Sequence, residues 1–243
     1  IPARTLVPLL NGLAHDNSAA ERARQQLMNW DYHMDIDSVG AGIYMAWERE
    51  LRERVSAMFI PDAAQDYIGL LQIKPTIDRL LSPDGRFGSD PTAGRNRLLH
   101  EALAAAVDDL RQRFGNDMAA WQYGQEGYKH VHLRHPMSDA VNDELRASLE
   151  VGPAPRHGYS YTVSNTSYGD NQTSGASFRM IVDTEDFDRT LASNTPGQSG
   201  DPDSPFYENL FEEWLDNRYF PLFYSRDKVE SVTAERLRLA PAQ

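Results

Sequence analysis

The stretch that decides the reading of this chain is Asn194-Thr195-Pro196-Gly197-Gln198-Ser199-Gly200-Asp201-Pro202-Asp203-Ser204-Pro205-Phe206-Tyr207. Pro196, Pro202 and Pro205 fix φ and lack a backbone donor, while Gly197 and Gly200 can take positive φ, so the spacing predicts one ordered loop path. Before it, Phe178-Arg179-Met180-Ile181-Val182 is a short apolar run of the buried-strand kind, and after it Tyr207 to Leu215 has helical spacing. Within the loop, Asn194, Gln198 and Ser199 have two jobs open to them: bonding their own backbone or facing a substrate cleft.

Working outward, residues 1–127 read as a mainly helical region and 128–243 as a strand-rich one, both parts of one α+β unit. Ile1 to Leu10 is a short helical or turn segment without a signal-peptide plan, and reads as a beginning in mid-protein. Ser18, with Glu21 three residues on, has the form of a helix N-cap, and the apolar positions Leu27, Met28 and Trp30 follow. A helix is predicted over 38–59, with Ile43, Ala46, Trp47, Glu50, Leu51 and Val55 at spacings of three and four, and Pro61 stops it. Others are predicted over 64–81, interrupted by Pro75, and over 96–114, where Leu98, Leu99, Leu103, Val107 and Leu110 form a stripe.

From Tyr128 to Pro136 the alternation is that of a strand, and Tyr159 to Val163 has the same character. His130 and His132 share one strand face, but two histidines without a further ligand do not make a stable site, so no metal is predicted. Arg179 and Asp183 either form a charged pair near a catalytic face or alternate outward from a buried strand.

Once these residues are laid out, the segment from Asn194 to Glu230 resembles the carboxy-terminal signature of the penicillin acylase family. The features that carry the resemblance are the loop Gly197 to Tyr207, a helix with Trp214, the turn Tyr219-Phe220-Pro221-Leu222 and a final strand from Val229 to Leu239. Trp30-Asp31-Tyr32-His33-Met34-Asp35-Ile36-Asp37-Ser38-Val39-Gly40-Ala41-Gly42-Ile43-Tyr44 is similar to another family element, and Gly175 to Asp183 to a third. Trp121-Gln122-Tyr123-Gly124 and His135-Pro136-Met137 continue it, with Gln125-Glu126-Gly127 where the family motif reaches a histidine.

The resemblance implies the four-layer α/β/β/α sandwich of N-terminal-nucleophile hydrolases, to which this chain gives outer helices and a few antiparallel strands. In that family the nucleophile is the N-terminal Ser of the β chain, activated by its own α-amine. That Ser, the oxyanion-hole Asn and the calcium ligands belong to earlier parts of the β chain, whereas this sequence begins with Ile1. No catalytic residue and no cofactor is therefore assigned to this chain, and Arg179, Asp183, Asn194, Gln198 and Ser199 are candidates either to support the catalytic layer from behind or to face the cleft. The implied partners are the remainder of the β chain and the α chain. The implied substrate is a small-molecule acyl amide such as a penicillin, a cephalosporin or an N-acyl-homoserine lactone. The parent protein would be a self-cleaving precursor, periplasmic or secreted, and the isolated chain inactive. The alternative from another class is a non-catalytic binding or structural module with an acylase-like shape.

Composition narrows the field from the other side. At 243 residues with mean hydropathy −0.59 the chain has the balance of an ordinary globular protein, and no run approaches a membrane span. A formal charge of −12 opposes a phosphate-backbone partner, so nucleic acid is not expected, and without a spanning run neither is a membrane. The absence of cysteine removes disulfides, thiolate metal sites and a Cys nucleophile together. There is no Gly-x-Ser-x-Gly elbow, since Ser199 sits in Gly-Gln-Ser-Gly-Asp, and no phosphate loop or His-Glu-x-x-His.

Overall fold

The computed structural model describes residues 2–241; Ile1, named above as the first residue, lies outside the described residues, as do Ala242 and Gln243. The chain forms two compact units and passes between them more than once. Unit 1 runs to Val131 and takes in Pro153–Thr173, and unit 2 comprises His132–Gly152 and the part from Ser174 onward. The division thus differs from a single boundary at 127/128. Residues 153–173 belong with the helices because Tyr159, Arg156 and Gln172 bury themselves there.

Unit 1 is helical: α1 (Pro2–Leu6), continued by a 3-10 turn over Val7–Leu10, then α2 (Ser18–Met28), α3 (Val39–Phe59), α4 (Ile73–Leu81) and α5 (Pro91–Phe114). α2 starts where Asn17 accepts hydrogen bonds from Ala19 N and Ala20 N, so the cap is Asn17 rather than Ser18, and Glu21 instead accepts from His15 N. Ser38 Oγ caps α3, and Asp90 caps α5 with Pro91 in its first turn, a few residues ahead of the predicted start at 96. α4 begins at Ile73 rather than near 64. Pro75 then falls in the first helical turn, where its missing N–H costs nothing, so it does not interrupt the helix.

α3 is the axis of the unit. Every residue from Gly40 to Glu48 is buried, so the first half of this helix is enclosed on all sides, while Glu53 and Ala57 in its second half are exposed. It packs along α5, whose Leu99, Ala102, Leu103, Ala106, Val107 and Leu110 are buried. A Cβ built on Gly42 would stand 2.0 Å from the Trp121 carbonyl oxygen, so only glycine lets the backbone after α5 come this close. Tyr128 OH donates to Gly42 O at 2.7 Å across the same contact. Residues 159–163 are turns rather than the predicted strand. Thr162 Oγ1 accepts from Tyr159 N at 3.0 Å, and this side-chain bond takes the backbone donor a ladder would need.

β1 (His130–Leu133) pairs with β2 (Val151–Pro155) in a two-stranded ribbon, with the short α6 (Asp143–Leu149) between them in sequence. Unit 2 is built on a sheet of order β3-β4-β5: β3 (Arg179–Ile181), β4 (Leu191–Ser193) and β5 (Phe220–Pro221). Pairing is antiparallel, with Met180 opposite Ala192 and Ala192 opposite Phe220. α7 (Phe211–Leu215) and α8 (Arg226–Ser231) complete it. The last element is therefore a helix, not the strand expected over Val229 to Leu239, and 232–241 are irregular and exposed. Ser225 Oγ accepts from Lys228 N and starts α8 where the alternation alone suggested extended chain. Helices and small antiparallel sheets together make an α+β fold.

Candidate functional site

The loop after β4 holds its path through its own backbone. Gln198 N and Ser199 N both donate to Phe206 O, at 2.9 and 3.1 Å, and Leu210 N donates to Pro196 O at 2.9 Å. A Cβ on Gly197 would lie 2.2 Å from Phe206 O, whereas Gly200 has open space around it. The Gln198 amide donates to Gly197 O at 3.1 Å, and Ser199 Oγ accepts from Asp201 N at 3.1 Å. Asn194 directly follows β4 and is half-buried. Tyr207 OH closes the far side of the loop on Leu149 O at 2.6 Å.

Arg179 is the bracing cation of unit 2. Its guanidinium donates to Asn217 Oδ1, to Ser193 Oγ at 3.2 Å and to Trp214 O at 2.9 Å, and lies over the Tyr219 ring at 5.5 Å. One side chain thereby joins β3, β4 and the end of α7, where Asn217 turns with φ 56°. Burial pushes its pKa down, with Tyr219 opposing. Asp183 does not pair with it. Asp183 Oδ1 accepts from Glu185 N and Asp186 N, and Oδ2 meets Arg189 Nε at 2.9 Å. Those two backbone donors, and Arg189 after them, hold the carboxyl below its usual range.

The two histidines of β1 go separate ways. His130 Nε2 stands 3.0 Å from Gly124 O, and His132 Nε2 lies 2.8 Å from Glu150 Oε2. Glu150 also meets Arg134, and Ser138, Arg134 and His132 depress its pKa in that order.

A cluster that the sequence reading passed over lies in the core of unit 1. Glu48 is 0% exposed on α3 and accepts from Tyr44 OH through Oε2, while Oε1 is buried without a hydrogen-bond partner among the described residues. Burial raises its pKa, opposed by the Tyr44 hydroxyl and then by Arg52, Lys129 and Arg49. Lys129, also fully buried, donates from Nζ to Tyr168 O at 2.9 Å and Gly169 O at 2.6 Å, and burial with Arg49 beside it lowers its pKa to about 7. Asp170 binds Arg49 at 2.5 Å and Arg113 at 3.0 Å. Arg52 lies 4.3 Å over the Tyr168 ring and donates to Leu71 O. The available signal is a carboxylate directly after the apolar run from Gly40 to Trp47, one helical turn from Tyr44. In chemical terms the charges of this cluster are spent on carbonyls and on each other, as in a structural network that ties 168–170 to α3.

Comparison with known proteins gives the context for these groups. Residues 1–231 match the family model described as penicillin amidase. The acyl-homoserine lactone acylase QuiP of Pseudomonas aeruginosa is 26% identical over 258 residues, covering 93% of this chain and 30% of that protein. The penicillin acylase 2 proenzyme of a Pseudomonas species is 30% identical over 237 residues, covering 90% of this chain and 29% of the relative. The thermostable penicillin G acylase from Alcaligenes faecalis superposes over 100% of this chain and 47% of its own with a TM-score of 0.54 at 17% identity, a likeness of fold. The chain thus spans about 30% of the length of the curated relatives it matches. With the family model matching nearly end to end, the chain belongs to the penicillin amidase family.

Proposed function

We propose that this chain is the carboxy-terminal part of an amidohydrolase that cleaves the amide between an acyl side chain and a polar amine, and that it holds the catalytic layer in shape without breaking the bond itself. The observation that carries this is the family match over residues 1–231 within relatives some three times longer. It is supported by the candidate residues themselves: Arg179 on β3, Asp183 just after it, and Gln198 and Ser199 in the loop are all engaged with neighbouring groups of unit 2. Covalent acyl transfer needs a nucleophile with an adjacent base and oxyanion donors, and those groups are assigned to the parts of the acylase outside this chain, together with any calcium. Penicillins, cephalosporins and N-acyl-homoserine lactones are the substrate classes to try, and the periplasm or the cell exterior is the location to test by fractionation.

The deciding experiment assays the full-length acylase and the 243-residue chain in parallel, on phenylacetyl, glutaryl and long-acyl amides including N-acyl-homoserine lactones. The full-length protein is expected to release the amine and the chain alone to release none. Turnover by the chain alone that a point change within it abolishes, or no turnover by the full-length protein on any of these amides, would overturn the reading.

A further inference from the structure

Between the first helical turns of unit 1 and α2 the chain crosses Asn11-Gly12, the one Asn-Gly pair in the sequence. The side-chain carbonyl of an asparagine is open to attack by the backbone nitrogen of the next residue, and glycine, which has no Cβ, obstructs that approach least. The structure leaves both reacting groups free. Asn11 and Gly12 are exposed, and Gly12 turns with φ 74° with nothing within 4 Å of where a Cβ would stand. Asn11 N donates to Pro8 O at 3.0 Å and Leu13 N to Leu10 O at 3.2 Å, but neither the Asn11 side chain nor Gly12 N has a hydrogen-bond partner among the described residues.

The comparable pairs are tied down. Asn17-Ser18 also places a small residue after asparagine, but Asn17 Oδ1 accepts from Ala19 N and Ala20 N at 2.9 and 3.3 Å as the cap of α2. Asp84-Gly85 has its carboxylate on Arg86 N at 3.0 Å. A side chain held in this way must give up its bonds before it can cyclise, so its reaction waits on local opening.

We propose that Asn11 is a site of spontaneous covalent modification, at which Gly12 N closes a succinimide that opens to aspartate and isoaspartate. The bond from Gly12 N to Asn11 Cγ forms as the Cγ–Nδ2 bond breaks, and the amide proton of Gly12 leaves with the side-chain NH2 as ammonia. Water then opens the ring. Addition at the former side-chain carbonyl gives aspartate, and addition at the main-chain carbonyl gives isoaspartate, whose main chain runs through Cβ and Cγ. One water is consumed and one ammonia released, with no other reactant. The isoaspartate lengthens the chain by a methylene between Leu10, which is buried, and Leu13, which packs half-buried on the core, inside the turn that Leu13 N closes on Leu10 O. Arg24 Nη1 on α2 reaches the same Leu10 O at 3.3 Å, so the lengthened turn also loosens the hold of α2 on the first segment.

The test incubates the folded full-length acylase at mildly alkaline pH and maps its tryptic peptides over time, beside the same protein unfolded in guanidinium chloride. One peptide, Thr5 to Arg22, carries both Asn11 and Asn17. Asn11 should deamidate in the folded protein within about threefold of its unfolded rate, because no folded contact has to open first. Asn17 should convert at least ~10-fold more slowly folded than unfolded. A greater slowing of Asn11 than this, or equal slowing of the two asparagines, would overturn the proposal. Asn11→Gln, whose longer side chain disfavours the five-membered closure, should leave the position intact; conversion there at the unaltered rate would also count against it. The aged protein should lose hydrogen-exchange protection at Leu13 N, whereas Asn11→Asp, which adds the charge without the methylene, should keep it. Equal loss in both would assign the effect to charge and overturn the lengthened turn. Peptide mapping needs no turnover, so these outcomes stand apart from the amidohydrolase reading.

Discussion

Unit 1 and unit 2 spend their apolar residues in opposite ways. In unit 1 the aromatic side chains of the core go inward: Trp47, Trp121, Tyr44, Tyr123 and Tyr128 are fully buried, and even a carboxylate and an ammonium are enclosed with them. In unit 2 the apolar strand β3 lies open, and the order comes instead from Arg179 and from the backbone bonds of the 194–207 loop. The contrast teaches that a helical layer can close on its own apolar stripes, whereas a three-stranded sheet has two faces and two edges to satisfy and too few residues to cover them. Unit 1 thus encloses its core aromatics, whereas unit 2 leaves the apolar residues of β3 exposed.

The largest effect that would break this comparison is at the tryptophans. Trp47→Ala should cost about 3–5 kcal/mol in denaturant unfolding, because Trp47 is 0% exposed and packs between α3 and α5 with Nε1 donating to Leu99 O at 3.3 Å. Trp30→Ala and Trp214→Ala should fall in the same range, each residue being buried with its indole N–H bonded to a carbonyl. Met180→Ala, on the open strand, should cost under about 1 kcal/mol in the chain alone. Equal midpoints for Trp47→Ala and Met180→Ala would erase the distinction between the units.

Next in size is the buried charge cluster. Glu48→Ala removes the acceptor of Tyr44 OH and a counter-charge of Lys129 and Arg52, so about 3 kcal/mol of stability should go. Glu48→Gln should cost less, because the amide oxygen still accepts from Tyr44 OH. A larger loss for Gln than for Ala, read from urea midpoints, would show that the negative charge itself is needed.

Lys129 gives the pH arm of the same test. Its folded pKa is lowered to about 7, below the value of an unfolded lysine, so between those two values the unfolded chain binds more protons. Stability should therefore rise as pH increases from about 7 towards 10, by up to about 1.4 kcal/mol per unit. Above pH 10 the trend should reverse, because buried Tyr44, Tyr123, Tyr128 and Tyr159 have raised pKa values and resist ionisation that the unfolded chain allows. Lys129→Met should flatten the rise between pH 7 and 10; an unchanged slope would assign it to other groups.

The two units also differed in how far the sequence disclosed them. α3 and α5 were legible because their apolar residues recur at three and four over twenty residues, and Ser38, Pro61 and Gly115 mark their ends. The family features around Trp30 to Tyr44 and Gly197 to Tyr207 were legible as well, and both the family and the α+β class follow from them. Short elements were not. At Tyr159 and at Val229 the alternation of a strand was outweighed by single hydroxyl caps, Thr162 and Ser225, whose bonds propensity does not register. The run Phe178 to Val182 was correctly extended but wrongly buried, because a sequence states what a strand prefers to touch and not whether this stretch of chain supplies it. The burial of Lys129 is not legible for a related reason: it depends on carbonyls contributed from residues 168–169, far along the chain.

The smallest expected effects sharpen the comparison within the loop itself. Gly197 has backbone oxygens at 2.2 and 2.4 Å from where a Cβ would stand, so Gly197→Val must displace main chain and should cost several times more than Gly200→Val, whose surroundings are open. Gln198→Ala removes a hydrogen bond to the adjacent Gly197 O on an exposed side chain, and Ser199→Ala removes an acceptor for Asp201 N, so each should cost about 1 kcal/mol or less. In the full-length acylase the two readings of these side chains then separate. If they brace the loop, Gln198→Ala and Ser199→Ala should leave turnover within about twofold, and what changes should track the thermal midpoint. A tenfold or greater loss of turnover for Gln198→Ala at unchanged midpoint and unchanged assembly would instead place that amide on the substrate side of the loop, in a cleft completed by another part of the polypeptide.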